Sequence, residues 1–231
     1  MPHANASTVN AADTQHHPAV EEYLETIFHL EEAGVPAMRA RLVERLGVSA
    51  PAVSEQIKRL EREGYVHLSD DRTVSFTDEG RDYATAIVRR HRLAECLLVN
   101  VLGLPWHQVH VEAGQLEHAI SPVLEARLVA VLDDPVTCPH GNPIPGSKRT
   151  YEPGPMRPLT SVKVGGRSTI VRLEEDLQAD HQMLMALEGA GAIPGAEVTV
   201  ESNDGNALRF VAPKGTVELA VEAAGGVQVR R

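Results

Sequence analysis

Three groups of side chains in this 231-residue chain have the types and the spacing to hold a cation. His91 and Glu95 stand at i and i+4, so on a helix both project from one face about a turn apart. His110, Gly114 and His118 are successive i+4 steps with Glu117 two turns from His110, while Glu22 and Glu25 stand at i and i+3. Imidazole nitrogens and carboxylate oxygens together form a ligand set for divalent first-row transition metals. Each group alone also fits the solvated edge of an amphipathic helix. What favours chemistry is their co-occurrence in a chain that has no glycine-rich phosphate loop, nucleophile elbow or HExxH motif. His118 and His140 with Cys138 lack the paired CxxC elements of a structural zinc site. His3, His16 and His17 fall in a small, polar, aperiodic stretch, residues 1–17, that reads as a disordered tail.

Periodicity supplies helices to carry these groups. Val20, Tyr23, Leu24, Ile27, Phe28 and Leu30 recur at three and four, predicting an amphipathic helix that ends near Gly34. A short helix over 39–46 stops at Gly47. Ser49 then caps a third, 50–63, with Pro51 in its first turn and Val53, Ile57 and Leu60 on one stripe. This is a helix-turn-helix pattern, and the β-rich runs 65–68 and 73–76 about a polar turn supply the wing of a winged helix. Thr77 caps a long helix, 78–102, and two more follow over 105–118 and 122–132. Three Leu- and Val-rich helices in a row must bury their apolar faces on each other or on a partner chain. Residues 135–158, rich in Pro and Gly, read as a linker or an ordered irregular loop. Val-rich runs at 161–164, 169–173, 197–201, 207–211, 216–221 and 226–229, with one helical stretch near 178–189, predict a small β-barrel.

Charge narrows the function. The 22 Lys and Arg against 32 Asp and Glu give a net charge of −10, which on average argues against nucleic acid. The average misleads, because residues 35–92 carry 11 cations and 9 anions, net +2, and the remainder 11 and 23, net −12. One locally basic module therefore stays open to DNA. Aromatics at 3% exclude stacking platforms for single strands. No apolar run approaches the ~20 residues of a membrane span, and the N-terminus lacks the basic-then-apolar order of a signal peptide. Two scattered cysteines fit a reducing compartment, so a cytoplasmic location is expected.

The run EEYLETIFHLEEAGVPAMRARLVERLGVSAPAVSEQIKRLEREGYV, then RRHRLAE at 89–95, VHVEAGQLEH at 109–118 and GNPIPG at 141–146, resembles the diphtheria toxin repressor family. These are metal-activated transcriptional repressors, iron-dependent in one branch and manganese-dependent in another. The resemblance spans about residues 19–231 and implies a mainly α chain with a C-terminal all-β domain. Its parts would be a winged helix-turn-helix (18–76), a helical metal-binding and dimerisation domain (77–146), a linker (147–158) and an SH3-like barrel (159–231). It also implies two metal sites per subunit. The ancillary site would be His91, Glu95, His110, Glu175 and Gln178, and the primary site Glu22, Gly114, Glu117 and His118.

The primary set departs from the family pattern. Iron-responsive members have Met where Glu22 stands and Cys where Gly114 stands; manganese-responsive members have an acidic residue at the first and commonly Glu at the second. Gly114 offers only its carbonyl, and Glu25, which matches a further carboxylate of some manganese members, fills the vacancy. Oxygen in place of sulfur hardens the site and favours Mn²⁺, with Fe²⁺ the alternative. Contacts to double-stranded operator DNA are expected from Arg39, Ser49, Pro51, Ala52, Ser54, Glu55 and Gln56, with Arg72 of the wing at phosphate. Glu55 stands where the iron branch has Gln, and a carboxylate there would accept from cytosine, so the operator cannot be borrowed from relatives. The expectation is a homodimeric Mn²⁺-activated repressor of metal-uptake genes, not an enzyme, bound as one or two dimers per operator. Its rivals are an Fe²⁺-dependent repressor of iron uptake and, from another class, a metal-storage or delivery protein that binds no DNA.

Overall fold

The computed structural model describes residues 18–231; the expected tail, with His3, His16 and His17, lies outside them. Helix α1 (Pro18–Glu32) buries Val20, Tyr23, Leu24, Ile27 and Leu30, the stripe set by their spacing. Helix α2 (Arg39–Leu46) ends at Gly47, whose φ of 64° is the left-handed cap conformation that glycine adopts without a Cβ penalty. Ser49 caps α3 (Ala50–Arg62), accepting from the Ala52 N–H at 3.4 Å. Strands β1 (Val66–Leu68) and β2 (Val74–Phe76) pair antiparallel as the wing. The wing is tied back to the segment before α2, because the Val74 N–H donates to Ala37 O at 2.8 Å. One apolar core, including Leu24, Ile27, Leu42, Val53, Ile57, Leu60, Val66 and Val74, joins all five elements. Truncating any of its leucines to Ala would cost about 2–5 kcal/mol.

Helix α4 (Asp78–Asn100) links this unit to the next. Thr77 accepts from the Gly80 N–H at 3.0 Å and donates its hydroxyl to Gly64 O at 2.6 Å, so the cap also fastens the helix to the turn before β1. A Cβ at Gly80 would stand 1.8 Å from Tyr65 O; only glycine allows so close an approach. Ala84 and Ile87 of α4 belong to the first core, whereas Leu93, Ala94 and Leu98 belong to a second, formed with α5 (Val109–Leu116) and α6 (Pro122–Val131).

Two expectations for this region are corrected. The long helix stops at Asn100, not 102, because the N–H groups of Val101 and Leu102 both turn back to Leu97 O and the chain reverses at Gly103, φ 71°. The helix expected over 105–118 is three pieces: a 3₁₀ turn at Trp106–Gln108, α5, and a second 3₁₀ turn at Glu117–Ala119 closed by the Ile120 N–H on Glu117 O at 3.2 Å.

The C-terminal unit is a six-stranded sheet. Its order is β3 (Arg157–Pro158), β8 (Val227–Arg230), β4 (Arg167–Leu173), β5 (Glu197–Asn203), β6 (Ala207–Ala212) and β7 (Gly215–Ala220), and every pairing is antiparallel. It surrounds a third core that includes Leu159, Ile170, Leu173, Leu187, Val200 and Phe210. Trp106 inserts into this core from the helical unit and donates its indole N–H to Pro139 O at 2.9 Å. The strand expected over 161–164 is instead a 3₁₀ turn at Leu159–Ser161 followed by a tight turn closed by the Gly166 N–H on Lys163 O. The helical stretch expected near 178–189 is two helices, α7 (Glu175–Gln178) and α8 (His181–Ala190), broken where Asp180 takes up the N-cap of α8. One further short helix, α9 (Val221–Gly225), precedes β8.

The Pro- and Gly-rich run that follows α6 is ordered at its start. The Cys138 N–H bonds Asn142 O at 2.9 Å, the Ile144 N–H bonds Val136 O at 2.8 Å, and Cys138, His140, Asn142 and Ile144 are buried. Gly141, φ 88°, lets this loop lie directly on the barrel, where a Cβ would be 2.1 Å from Val171 O of β4. Among the described residues no helix is long and apolar enough to cross a membrane.

Candidate metal centre

A cleft of about 960 Å³ opens where α1, α5, the 117–119 turn and the start of α7 converge, so all three units contribute to its wall. Glu22, Glu25, His91, His110, Gly114, Glu117, His118 and Glu175 line it, which gathers residues from both sets expected from the sequence. Helix periodicity does most of the positioning: His91 and Glu95 are one turn apart on α4, and His110 and Gly114 one turn apart on α5.

His91 lies at the crossing of these groups. Its Nδ1 is 2.6 Å from Glu117 Oε2 and 3.7 Å from Glu25 Oε1; its Nε2 is 3.1 Å from His110 Nδ1, 3.4 Å from Glu95 Oε1 and 3.8 Å from Glu175 Oε1. The ring therefore touches members of the primary set as well as the ancillary set to which the resemblance assigns it. Burial works against a charge on His91, yet hydrogen bonds to Glu117 and Glu95 hold its imidazole well above the ordinary range. Glu25 goes the other way: burial, with Glu117 close by, pushes its carboxyl up to about 8.

Glu95 joins this cluster to a further one that the sequence reading discounted. Its Oε1 is 3.0 Å from His140 Nδ1, and donor atoms of Glu95, Cys138 and His140 lie within 4.8 Å of one another. Burial of Glu95 is outweighed by His140, His110 and His91, which hold its carboxyl well below the usual range. The missing signal was tertiary: Cys138 and His140 show no zinc spacing in the chain because their third partner is on α4. His29, also unforeseen, sits on α1 with Nε2 3.8 Å from Glu175 Oε1. Burial of Glu175 is outweighed by His29, Arg92 and His110, and its carboxyl falls to about 2.

The donors fit a cation on a separate ground. Glu25 Oε1, Glu95 Oε2, Glu175 Oε1, Gln178 Oε1 and His140 Nε2 are all buried without a hydrogen-bond partner. Such atoms cost about 1–3 kcal/mol each when left bare, and a cation satisfies lone pairs that no protein donor reaches. Gln178 uses its Nε2 on Leu173 O at 2.9 Å, which leaves the oxygen as the free end. Glu22 is exposed on the cleft wall. At Gly114 nothing lies within 4 Å of where a Cβ would be, so the helix leaves open space there.

Arg92 supplies a fixed cation beside this chain of carboxylates. It is 0% exposed; its guanidinium grips Glu32 at the end of α1 at 2.6 and 3.0 Å, Pro143 O in the loop at 2.6 Å, and Glu175 at 3.4 Å. Neither Glu32 nor Arg92 stands among the ligands expected from the sequence.

The residues expected at DNA form a separate surface. Pro51, Ala52 and Glu55 are exposed along α3, and Arg72 is exposed in the wing turn at φ 67°. Ser49 is occupied in part by the cap. Arg39, Ser54 and Gln56 are half-buried, and Gln56 Nε2 and Arg39 Nε are buried without partners, so these two turn partly inward.

Comparison with known proteins covers most of the described chain. Residues 17–74 match the family model described as iron dependent repressor, N-terminal DNA binding domain; 77–146 match its metal binding and dimerisation domain; 160–231 match the diphtheria toxin repressor SH3 domain. The iron-dependent repressor IdeR of Mycobacterium tuberculosis is 43% identical over 221 residues, 91% of this chain and 96% of the relative. The diphtheria toxin repressor of Corynebacterium glutamicum is 42% identical over 218 residues, 91% and 95%. A solved structure of a manganese-dependent transcriptional repressor in complex with manganese superposes with a TM-score of 0.79 at 36% identity, covering 91% of this chain and 99% of that one.

Proposed function

The chain belongs to the iron-dependent repressor family, whose members are metal-dependent DNA-binding transcriptional repressors and not enzymes, and from that premise we propose that its own signal is Mn²⁺ and its targets are metal-uptake genes. The primary ion would be held by Glu22, Glu25, Glu117, His118 and the Gly114 carbonyl. The second would be held by His91, Glu95, His110, Glu175 and Gln178, with Cys138 and His140 available on Glu95. The observation that carries the proposal is the donor set facing the cleft: carboxylate oxygens and imidazole nitrogens, with a glycine where a sulfur ligand would stand. Fe²⁺ is the second reading, favoured by the identity to an iron-dependent relative.

The switch follows from where the ligands sit. Glu25 on α1 and Glu117 in the helical unit are carboxylates brought near one another, and Glu117 disfavours charge on the buried Glu25. A dication supplies the positive charge that joins α1 to the 117–119 turn. The winged helix (18–76), helical unit (77–146) and barrel (159–231), joined by the 147–158 linker, are proposed as the working parts. Apolar side chains left exposed on the helical unit, among them Val101, Leu102, Val123, Leu124 and Val131, suit the surface of a second copy. Two α3 helices then meet successive major grooves only at one spacing, so cation and operator, sharing one conformational equilibrium, help each other equally.

The test is anaerobic. Duplexes selected from a random pool by the Mn²⁺-loaded protein are titrated with metal-free, Mn²⁺-loaded and Fe²⁺-loaded chain. Tight binding only with metal, at lower free Mn²⁺ than Fe²⁺, is expected. Equal affinity without metal sinks the switch, and a preference for Fe²⁺ sinks the choice of ion.

A further inference from the structure

We propose that Glu21 is a positioning residue of the metal centre: its buried carboxylate accepts the Nδ1–H of His118 and thereby presents His118 Nε2 to the cation. The inference rests on the reading of His118 as a ligand. Glu21 is 1% exposed although its neighbour Glu22 is exposed, as expected for adjacent residues pointing roughly 100° apart around a helix. A carboxylate is buried this deeply only where it is paired. Glu21 Oε2 contacts His118 Nδ1, Oε1 receives the Tyr83 hydroxyl at 2.7 Å, and the Arg90 guanidinium is 3.9 Å away.

These partners decide the proton. Oε1 already receives the Tyr83 hydroxyl and the Arg90 guanidinium stands nearby, so Glu21 is ringed by donors and its Oε2 is the accepting end of the His118 contact. A neutral His118 must then carry its hydrogen on Nδ1, which leaves the lone pair on Nε2. That nitrogen is 3.6 Å from Glu117 Oε1, so it faces the neighbouring proposed ligand. Carboxylates that hold a ligating imidazole in this manner raise its basicity and fix its ring, and losing them costs about 10–100-fold in metal affinity. Because Glu21 is on α1 and His118 in the 117–119 turn, the contact also docks the DNA-reading unit in the register that the ligands need.

The experiment uses the full chain. Nitrogen-15 NMR of the histidines, recorded metal-free above the imidazole titration, reads the His118 tautomer, and calorimetry with Mn²⁺ reads affinity. The parent is expected to show the Nδ1–H form. Glu21→Gln, which keeps the side chain's shape, is expected to mix the tautomers and weaken the primary Mn²⁺ step by about 10–100-fold. Tyr83→Phe, which leaves the His118 contact in place, should weaken it less. An Nε2–H tautomer in the parent overturns the proposal without any variant, and so does a folded Glu21→Gln with parental tautomer and affinity. A parent that binds neither Mn²⁺ nor Fe²⁺ overturns the metal reading and this role with it; equal binding by parent and Glu21→Gln overturns this role alone.

Discussion

At the scale of single residues, His91 matters most because its two nitrogens face different donor sets. His91→Ala should therefore weaken both calorimetric Mn²⁺ steps. Glu117→Ala or His118→Ala should abolish Mn²⁺-dependent operator binding while leaving a step at Glu95 and His110; loss of a single step on His91→Ala would contradict the shared position. Gly114 offers the opposite experiment. With open space at its Cβ, Gly114→Glu should add a carboxylate without overpacking and tighten Mn²⁺ by about tenfold, or about 1.4 kcal/mol, in the same titration. The spacing of His91 with Glu95 and of His110 with Gly114 pointed to this region because helix geometry brings each of these pairs to one side. Cys138, His140 and His29 were not legible as donors, since what qualifies them is packing against groups more than 40 residues away in the chain.

Elements obey the same division between local and distant causes. Helices α1 to α4 and the wing were readable from apolar period, the glycine stop at 47 and the caps at Ser49 and Thr77. The breaks inside 105–119 and 175–190 were not, because they answer to tertiary partners: Trp106 must enter the barrel core and Asp180 must cap α8. Gly80→Ala, forced against Tyr65 O, should destabilise the chain by about 1–3 kcal/mol in denaturant unfolding. Glu188 of α8 accepts from the Trp106 N–H at 3.1 Å and pairs with the His107 ring, and these contacts outweigh burial to lower its carboxyl. A carboxyl lowered in the folded state stabilises above its unfolded pKa and loses that contribution as pH falls. The melting temperatures of parent and Glu188→Gln should thus differ at neutral pH and converge in acid; a constant gap would show that the charge is idle.

For the whole molecule, net charge and local charge act on different observables. DNA affinity should fall with salt according to the few phosphates reached, and Arg72→Ala should reduce the slope of log K against log salt by about one without changing sequence preference. Binding of the ion to the folded state alone stabilises it by about 2.7 kcal/mol at a hundredfold excess over Kd. Mn²⁺ should therefore raise the melting temperature of the parent and raise that of a Glu117→Ala, His91→Ala double variant much less.

The contacts of Arg92 bear on how quickly such a molecule would respond. Its guanidinium already joins the end of α1, the 138–146 loop and α7 through charges that need no metal. Docking of separate units takes milliseconds to minutes, whereas collective adjustments within a docked molecule take about microseconds to milliseconds. With the units held at Arg92 before the ion arrives, the delay between a change in free metal and a change in operator occupancy is set by ion encounter and by release from DNA, not by assembly of the sensor.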